Sequence, residues 1–120
     1  MEKPDVTWRV FGMYLLVLLL ILISGSAKGQ IQVAQFNAEW NSANEVSWVM
    51  DLEDCKTISY TDISKNPALA TEHKIAVIPT IIIFKDDVEV ARFQADLSFK
   101  MMATREEVQE EIDNILMSDF

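Results

Sequence analysis

The run Thr80-Ile81-Ile82-Ile83-Phe84 constrains the fold of this chain more than any other sequence feature. Its side chains are β-branched or aromatic, and no charged residue interrupts them. Such a run is typical of a β-strand that is buried on both faces. A strand of this kind needs a sheet with other elements packed against each side, so we expect a layered α/β domain.

Three further strands are predicted around this run. Residues 31–36 alternate large apolar side chains with smaller or polar ones, residues 57–61 fit a short strand, and residues 88–93 fit the second strand of a hairpin. Asp86 and Asp87 form a tight turn before the last strand, so the run and the last strand are expected to make a hairpin.

A helix is predicted directly after Trp40, because the apolar spacing changes there. Trp48, Leu52 and Cys55 recur at the spacing of one helix face. Asn41 or Ser42 is a suitable N-cap for this helix. On this interpretation Cys55 is an inert cysteine buried among apolar side chains.

Two more helices carry recognisable start signals. Asn66-Pro67 supplies a cap and a first-turn proline for a short helix that ends near His73, itself expected to be a surface or capping residue. Thr104 with Glu107 forms a capping box that opens the last helix. The predicted order is βαβ, helix, ββα, which gives a mixed central sheet with helices on both faces.

Composition argues against several classes of function. A chain of 120 residues fits one domain, and its net charge of -9 argues against a nucleic-acid-binding surface. Cys55 is the sole cysteine, so the chain has no intramolecular disulfide and no paired dithiol. With a single histidine and no cluster at metal-ligand spacing, we expect neither a metal site nor a cofactor.

The N-terminus resembles a targeting segment. The apolar run 10–23 is short for a membrane span and suits the core of a signal peptide, followed by small residues from Ser24 to Ala27. We expect residues 1–29 to be a signal peptide, or alternatively an uncleaved signal anchor that associates with the membrane through residues 10–23. In both cases residues 30–120 form a domain outside the cytoplasm, for example in a bacterial periplasm.

Two motifs carry a resemblance to a known family. Residues 36–44 read Phe-Asn-Ala-Glu-Trp-Asn-Ser-Ala-Asn, and Ile78-Pro79-Thr80 follows downstream. Together they resemble the thioredoxin family, in which a strand ends in Phe-Trp-Ala-Glu-Trp-Cys-Gly-Pro-Cys and a later Ile-Pro-Thr contains a cis proline. The resemblance covers nearly all of residues 30–120 and implies a minimal thioredoxin-like fold without the family's N-terminal strand and helix.

The same resemblance implies that the family's redox chemistry is lost. Asn41 and Asn44 stand at the positions of the two active-site cysteines. Gln35 aligns with the family's buried aspartate, and Asn37 aligns with the first tryptophan of the motif. An amide offers no thiolate to attack a disulfide, so we expect a degenerate active site and no enzymatic activity.

Pro79 matches the family's cis proline, beside which the backbone pairs with bound extended polypeptide. This resemblance implies a retained peptide-binding groove at Ile78 and Pro79. The alternative is that the turn only sets the approach of the next strand. Trp40 is most simply a core residue, and alternatively lines the surface beside the former active site.

The segment 96–103 is unusually apolar for a connection between a hairpin and a helix. Leu97 and Phe99 are expected to fold back over the sheet edge, whereas Met101 and Met102 are expected to contact a partner. Phe99 nevertheless stays among the candidate partner-binding residues because it belongs to the same segment.

Three functional hypotheses follow from these observations. The leading one is a redox-inactive, thioredoxin-like envelope protein that acts as an accessory subunit or adaptor through protein–protein contact. Its candidate binding residues are Trp40, Ile78, Pro79, Phe99, Met101 and Met102. The alternative is a thiol oxidoreductase or thiol-capture protein that uses Cys55, and a third is a membrane-tethered structural piece of a larger complex.

Overall fold

The computed structural model of the protein describes residues 30–118. Within them, four strands form one sheet in the order β2-β1-β3-β4. The strands are β1 (Ile31–Asn37), β2 (Thr57–Asp62), β3 (Thr80–Lys85) and β4 (Val88–Gln94). β1 is parallel to β2 and antiparallel to β3, and β4 is antiparallel to β3. The predicted mixed sheet is therefore confirmed, with strand ends within two residues of the expected positions.

The β3–β4 hairpin and the last helix form where local sequence signals place them. Asp86 and Asp87 have φ angles of 52° and 68°, values that short polar side chains tolerate in tight hairpin turns. Helix α1 (Pro67–Glu72) begins with its proline, and helix α2 (Arg105–Met117) begins after Thr104. The Thr104 hydroxyl accepts the Glu107 N–H at 3.1 Å and the Glu107 carboxylate accepts the Thr104 N–H at 3.0 Å.

The helix predicted after Trp40 is wrong. Two short 3₁₀ helices stand there instead, Glu39–Asn44 and Ser47–Asp51, separated by extended backbone at Val46. The buried Gln35 amide explains the break, because it accepts the Val46 N–H at 2.8 Å and donates to the Val46 carbonyl at 3.1 Å. These two bonds occupy backbone groups that a continuous helix would use internally.

The main core lies on one face of the sheet. Side chains from β1 and β3 pack there against the second 3₁₀ helix and α2. Its buried members are Ile31, Val33, Val46, Val49, Leu52, Ile81, Ile83, Val108 and Ile112. Trp48 and Cys55 contact this cluster from its margin, and both are partly exposed. Trp48 is therefore a core-edge residue.

The opposite face has a smaller cluster of Ala34, Phe36 and Ile82. Ile81, Ile82 and Ile83 are all fully buried, so β3 is covered on both faces as predicted. The His73 ring packs against Phe36 and Phe84, with ring centroids 5.3 Å and 5.6 Å apart. His73 is the C-cap residue of α1, as expected, and its ring also covers part of the sheet.

The predicted targeting segment 1–29 lies outside the described residues. Within residues 30–118, no helix combines the length and the apolar character needed to cross a membrane.

Candidate functional site

Three segments meet at one end of the sheet. β1 ends there at Asn37, and β3 begins there because Phe36 pairs with Thr80. Thr80 in turn pairs with Gln94 at the end of β4, and the Ala95 N–H donates to the Pro79 carbonyl at 3.0 Å. The topology therefore brings the first 3₁₀ helix, the Ile78-Pro79 turn and the loop after β4 together. The Ile78–Pro79 peptide bond is cis.

A chain of asparagine side chains connects these segments. The Asn41 amide donates to the Asn37 side-chain oxygen at 3.0 Å and to the Phe99 carbonyl at 3.3 Å. The Asn44 amide donates to the Asn41 side-chain oxygen at 2.8 Å, and the Asn37 amide donates to the Asn41 carbonyl at 3.2 Å. We call Asn37, Asn41 and Asn44 the amide network. It stabilises the contact between the 3₁₀ helix and the loop after β4.

Two aromatic rings form the exposed rim beside the amide network. Trp40 is 66% exposed and Phe99 is 40% exposed. The interpretation of Trp40 as a core residue is therefore wrong, and the alternative, that it lines the surface, is the one the structure shows. Their ring centroids lie 5.3 Å apart with perpendicular planes, an arrangement that aromatic quadrupoles favour. Phe99 has a φ of 65°, and its backbone is held by the Asn41 amide.

An apolar pocket of about 170 Å³ opens between this rim and the cis-proline turn. Its lining residues are almost entirely apolar. They are Trp40, Ile63, Ile75, Ala76, Val77, Ile78 and Phe99. A cavity of ~150 Å³ lined by aliphatic and aromatic side chains is large enough to hold a benzene ring. The pocket is therefore large enough for one large apolar side chain.

The loop from Asp96 to Lys100 presents Phe99 at the rim. The Asp96 carboxylate accepts the Ser98 N–H at 2.8 Å, the Lys100 N–H at 3.2 Å and the Ser98 hydroxyl. These hydrogen bonds, that from the Ser98 hydroxyl foremost, lower the pKa of Asp96. The Asp96 carboxylate thus stabilises this loop in its ionised form.

Leu97 and Met102 are exposed, whereas Met101 packs against the main core. Leu97 is 93% exposed, so the expectation that it covers the sheet edge is wrong, because the turn at Asp96 directs it outward. Met101 pairs with Ala95 and packs against the main core, whereas Met102 is 70% exposed. Of the two methionines, Met102 is the one whose side chain is mostly accessible to a partner.

Three carboxylates lie near the Tyr60 hydroxyl, which is hydrogen-bonded to the Asn37 side chain of the amide network. Burial raises the pKa of Tyr60, and the negative charges of Glu45, Asp62 and Glu39 raise it further. All three carboxylates therefore lie within electrostatic range of one hydroxyl at the edge of the site. The hydrogen bond from Ser64 lowers the pKa of Asp62, whose carboxylate also accepts the Glu39 N–H.

Cys55 lies at the opposite end of the sheet. It directly precedes Lys56, whose N–H donates to the carbonyl of Ile31 at the start of β1, whereas the amide network begins at Asn37. A strand rise of ~3.3 Å per residue separates the two ends of β1 by roughly 20 Å. Burial, followed by the charge of Asp54, raises the pKa of Cys55 to about 11. The thiol is half-buried and donates to the Glu53 carbonyl at 3.4 Å.

The structure adds site residues that the sequence analysis did not select. Ile63, Ile75 and Val77 line the pocket, and Asn37 anchors the amide network. A usable signal was the repeated Asp-x-Ser pattern at 62–64 and 96–98, since aspartate and serine in this spacing favour local turns. The first turn contains the pocket residue Ile63, and the second directly precedes the pocket residue Phe99.

Residues 30–118 contain no group of His, Cys, Asp and Glu side chains suited to holding a metal ion.

Comparison with solved structures identifies the fold. A thioredoxin variant from Halobacterium salinarum superposes with a TM-score of 0.59 at 20% identity, covering 72% of this chain and 74% of its own. Thioredoxin 1 from Thermosipho africanus gives 0.56 at 18% identity, covering 73% of this chain and 97% of its own. The chain has a thioredoxin-like fold.

A third solved structure supports the same fold. A thioredoxin pre-protein from Schistosoma mansoni gives a TM-score of 0.55 at 20% identity, covering 79% of this chain and 88% of its own. No protein-family model and no curated protein sequence matches the chain. At these identities the thioredoxin likeness establishes the fold, whereas function must be argued from the site itself.

Proposed function

We propose that this protein, which has a thioredoxin-like fold, is redox-inactive and acts by binding a partner protein at the rim formed by Trp40 and Phe99. It works as an accessory subunit or adaptor outside the cytoplasm, and it is not an enzyme. The observation that carries the proposal is the amide network of Asn37, Asn41 and Asn44. The resemblance of residues 36–44 to the thioredoxin motif implies that Asn41 and Asn44 take the positions of the two active-site cysteines.

The chemistry of the amide network supports this proposal. Thiol–disulfide exchange begins with attack by a thiolate, and a carboxamide has neither the charge nor the nucleophilicity for that step. The Asn41 side chain donates to Asn37 and to Phe99 and accepts from Asn44. Its hydrogen bonds are therefore used to fix the rim of the site. The side chains favour a positioning role over a reactive one.

The apolar pocket supports recognition at the same place. Most large apolar side chains of a folded domain are buried, and an exposed cluster at a concave surface often marks a binding site. Trp40 and Phe99 are exposed beside the pocket, and Met102 is exposed just after the loop that carries Phe99. Aromatic residues and methionine are enriched at the centres of protein interfaces.

An insulin-reduction assay tests the absence of redox activity. The full-length protein with dithiothreitol should precipitate insulin no faster than the Cys55→Ser variant. Turnover above that variant would refute the non-enzymatic part of the proposal.

Site-specific photo-crosslinking in native membranes tests the binding surface. The photoreactive residue p-benzoylphenylalanine is placed at Met102, and in a matched control at Met117, which is 68% exposed on α2. We expect a discrete crosslinked partner from position 102 and none from position 117. Equal crosslinking at both positions, or none at position 102, would refute the proposed surface.

The thiol hypothesis for Cys55 is the second candidate, and its local chemistry disfavours it. A reactive cysteine requires a lowered pKa and a positively charged neighbourhood, whereas burial, followed by the charge of Asp54, raises the pKa of Cys55. The thiol also lies at the far end of the sheet from the apolar pocket.

A further inference from the structure

The two edges of the sheet differ in how they are protected. The edge strand β4 carries the charged residues Glu89 and Arg92, and its register with β3 shifts between Ile83 and Phe84. Charged side chains and bulges keep an edge strand from pairing with another chain. The other edge strand, β2, pairs with β1 in an unbroken register, and residues 57–61 contain no charged residue, proline or glycine. β2 is therefore the less protected edge.

The backbone of β2 offers hydrogen-bonding groups on its outer side. Within residues 30–118, β1 is the one strand that pairs with β2. The Ile63 N–H, just after β2, donates to the Asn37 carbonyl at 2.9 Å, and the backbone groups of successive residues in a strand point to alternate sides. The odd-numbered residues of β2 therefore face β1, whereas the N–H and C=O groups of Ile58 and Tyr60 face away from the sheet.

The side chains of β2 suit a neighbouring strand on both faces of the sheet. Ile58 packs at the margin of the main core, and Tyr60, two residues further along, is 45% exposed. Thr57, Ser59 and Thr61 line an open groove of about 380 Å³ on the opposite face. β-Branched and aromatic side chains that lie side by side on paired strands stabilise the pairing. A strand added at this edge would therefore gain contacts with Ile58 and Tyr60.

We propose that β2 pairs with β2 of a second copy of this chain, in antiparallel orientation and with the two Ser59 residues at the two-fold axis. In this register Ile58 of each copy lies opposite Tyr60 of the other, so their outward-facing backbone groups form about four hydrogen bonds between the copies. The same pairing places a β-branched side chain beside an aromatic ring on each side of the axis. The two four-stranded sheets become one continuous sheet with an isologous interface.

The charges at the two ends of β2 favour a second copy in this register. Lys56 directly precedes β2 and is held beside β1, because its N–H donates to the Ile31 carbonyl at 2.7 Å. Asp62 ends the strand. Antiparallel self-pairing brings Lys56 of each copy to Asp62 of the other, which gives two pairs of opposite charges. A register shift of two residues in either direction instead places a charged residue opposite Ile58 or Tyr60.

The proposed interface is separate from the rim of Trp40 and Phe99, so this inference does not depend on the proposed function. A single strand pair buries little surface, and the net charge of -9 on each copy opposes association. Both effects predict a weak dimer, with a Kd on the order of 10–100 µM.

Disulfide trapping tests the pairing and its register. The full-length protein in a non-ionic detergent, in a Cys55→Ser background, carries either Ser59→Cys or the matched control Thr57→Cys, since both positions are exposed on the same strand. At the two-fold axis the two Cα atoms of position 59 form a non-hydrogen-bonded pair about 4.5 Å apart, which a disulfide spans. The two Cα atoms of position 57 are separated by roughly 13 Å along the strands, which a disulfide cannot span.

We expect Ser59→Cys to form a cross-linked dimer under oxidised glutathione about tenfold faster than Thr57→Cys, measured on non-reducing gels. A mixture of Thr57→Cys and Thr61→Cys should cross-link as rapidly as Ser59→Cys, because these two positions lie opposite each other in the proposed register. Equal rates for the two single variants would refute the pairing, and faster reaction of Thr57→Cys would refute the register.

Sedimentation velocity in a density-matched detergent tests the association without a cross-link. The dimer fraction of the unmodified protein should rise between about 5 and 500 µM. Ser59→Lys places two ammonium groups opposite each other at the axis and should abolish the dimer, with an unchanged circular dichroism spectrum. The matched control Val90→Lys, at a position 41% exposed on β4, should keep it. A dimer that persists in a folded Ser59→Lys variant would contradict the proposal.

Hydrogen exchange identifies any other occupant of this edge. In the monomer at low concentration, the amides of Ile58 and Tyr60 should exchange rapidly, and they should become protected as the dimer forms. If these amides are already protected in the monomer, another part of the chain, such as residues 1–29, covers β2 and the second copy is ruled out. If the protein stays monomeric over the whole range of concentrations, self-pairing of β2 is refuted.

Discussion

Replacement of Asn41 by alanine is the most direct test of the amide network. Asn41 is 5% exposed, and its side chain makes three hydrogen bonds, with Asn37, Asn44 and the Phe99 carbonyl. The Asn41→Ala variant leaves the side-chain oxygen of the fully buried Asn37 without this donor, which costs about 1–3 kcal/mol. Loss of the other two bonds, which are partly exposed to water, adds about 1 kcal/mol.

We therefore expect Asn41→Ala to lower the free energy of unfolding by about 2–4 kcal/mol. The measurement is urea unfolding of the full-length protein in a non-ionic detergent, followed by far-ultraviolet circular dichroism. The matched control Asn44→Ala removes one partly buried hydrogen bond and should cost only about 0.5–1 kcal/mol. Because Asn41 also holds Phe99, hydrogen exchange at the Phe99 amide should accelerate more in Asn41→Ala than in the control.

Two outcomes would contradict the role assigned to Asn41. If Asn41→Ala unfolds within about 0.5 kcal/mol of the unmodified chain, the network contributes no more than a typical surface position. If its stability falls but Phe99 exchange is unchanged, Asn41 stabilises the domain without positioning the rim.

Three further predictions test the chemistry around the site. Cys55 should react with iodoacetamide at neutral pH about tenfold more slowly than a free cysteine, because the lower thiolate fraction is partly offset by the greater nucleophilicity of a more basic thiolate. Burial and the charge of Asp54 raise the pKa of Cys55 to about 11. Labelling at the rate of a free cysteine, followed by mass spectrometry, would contradict this. In a Cys55→Ser background, Asn41→Cys/Asn44→Cys should form a disulfide with oxidised glutathione, seen as the loss of both titratable thiols. Persistence of both thiols would argue against the correspondence with the fold's redox positions. The pKa of Asp96 is lowered in the folded state, so its hydrogen bonds stabilise the loop above the unfolded pKa of about 3.9 and are lost as the pH falls through the lower folded value. The Ser98 amide resonance should report this transition in an NMR titration, and Asp96→Asn, which cannot titrate, should abolish it.

The strands and the start of each α-helix were predictable because their signals are local. The β-branched residues from Thr80 to Ile83, followed by Phe84, strongly favour a buried strand. The Thr104–Glu107 capping box and Pro67 satisfy or remove backbone donors within one helical turn. Such effects depend on neighbouring residues only, so the sequence contains all the information that they need.

The helix predicted after Trp40 failed for a non-local reason. The spacing of Trp48, Leu52 and Cys55 is compatible with a helix face, and nothing between them forbids one. Gln35 on β1 intervenes, because its amide binds both backbone groups of Val46. A buried side-chain amide needs partners for both its oxygen and its nitrogen, and here those partners fix the backbone conformation at Val46. The spacing of apolar residues does not reveal this requirement.

The candidate site was predicted in part. Trp40, Ile78, Pro79 and Phe99 come together at the end of the sheet. Met101 instead packs against the core, since its backbone pairs with Ala95 and turns its side chain inward. In an irregular loop, the position of a residue in the sequence does not show which way its side chain points. The two adjacent methionines therefore could not be distinguished without the geometry of the loop.

The layered α/β class, the single cysteine, the acidic charge and the asparagines at positions 41 and 44 were all readable from the amino-acid sequence. Each of these follows from composition or from interactions between near neighbours. Two features became visible only in the folded chain: Asn41 is buried against Asn37 and holds the Phe99 backbone, and Cys55 lies at the far end of the sheet. The physical reason is that burial and hydrogen-bond satisfaction depend on strand order and loop closure, which join residues distant in the chain.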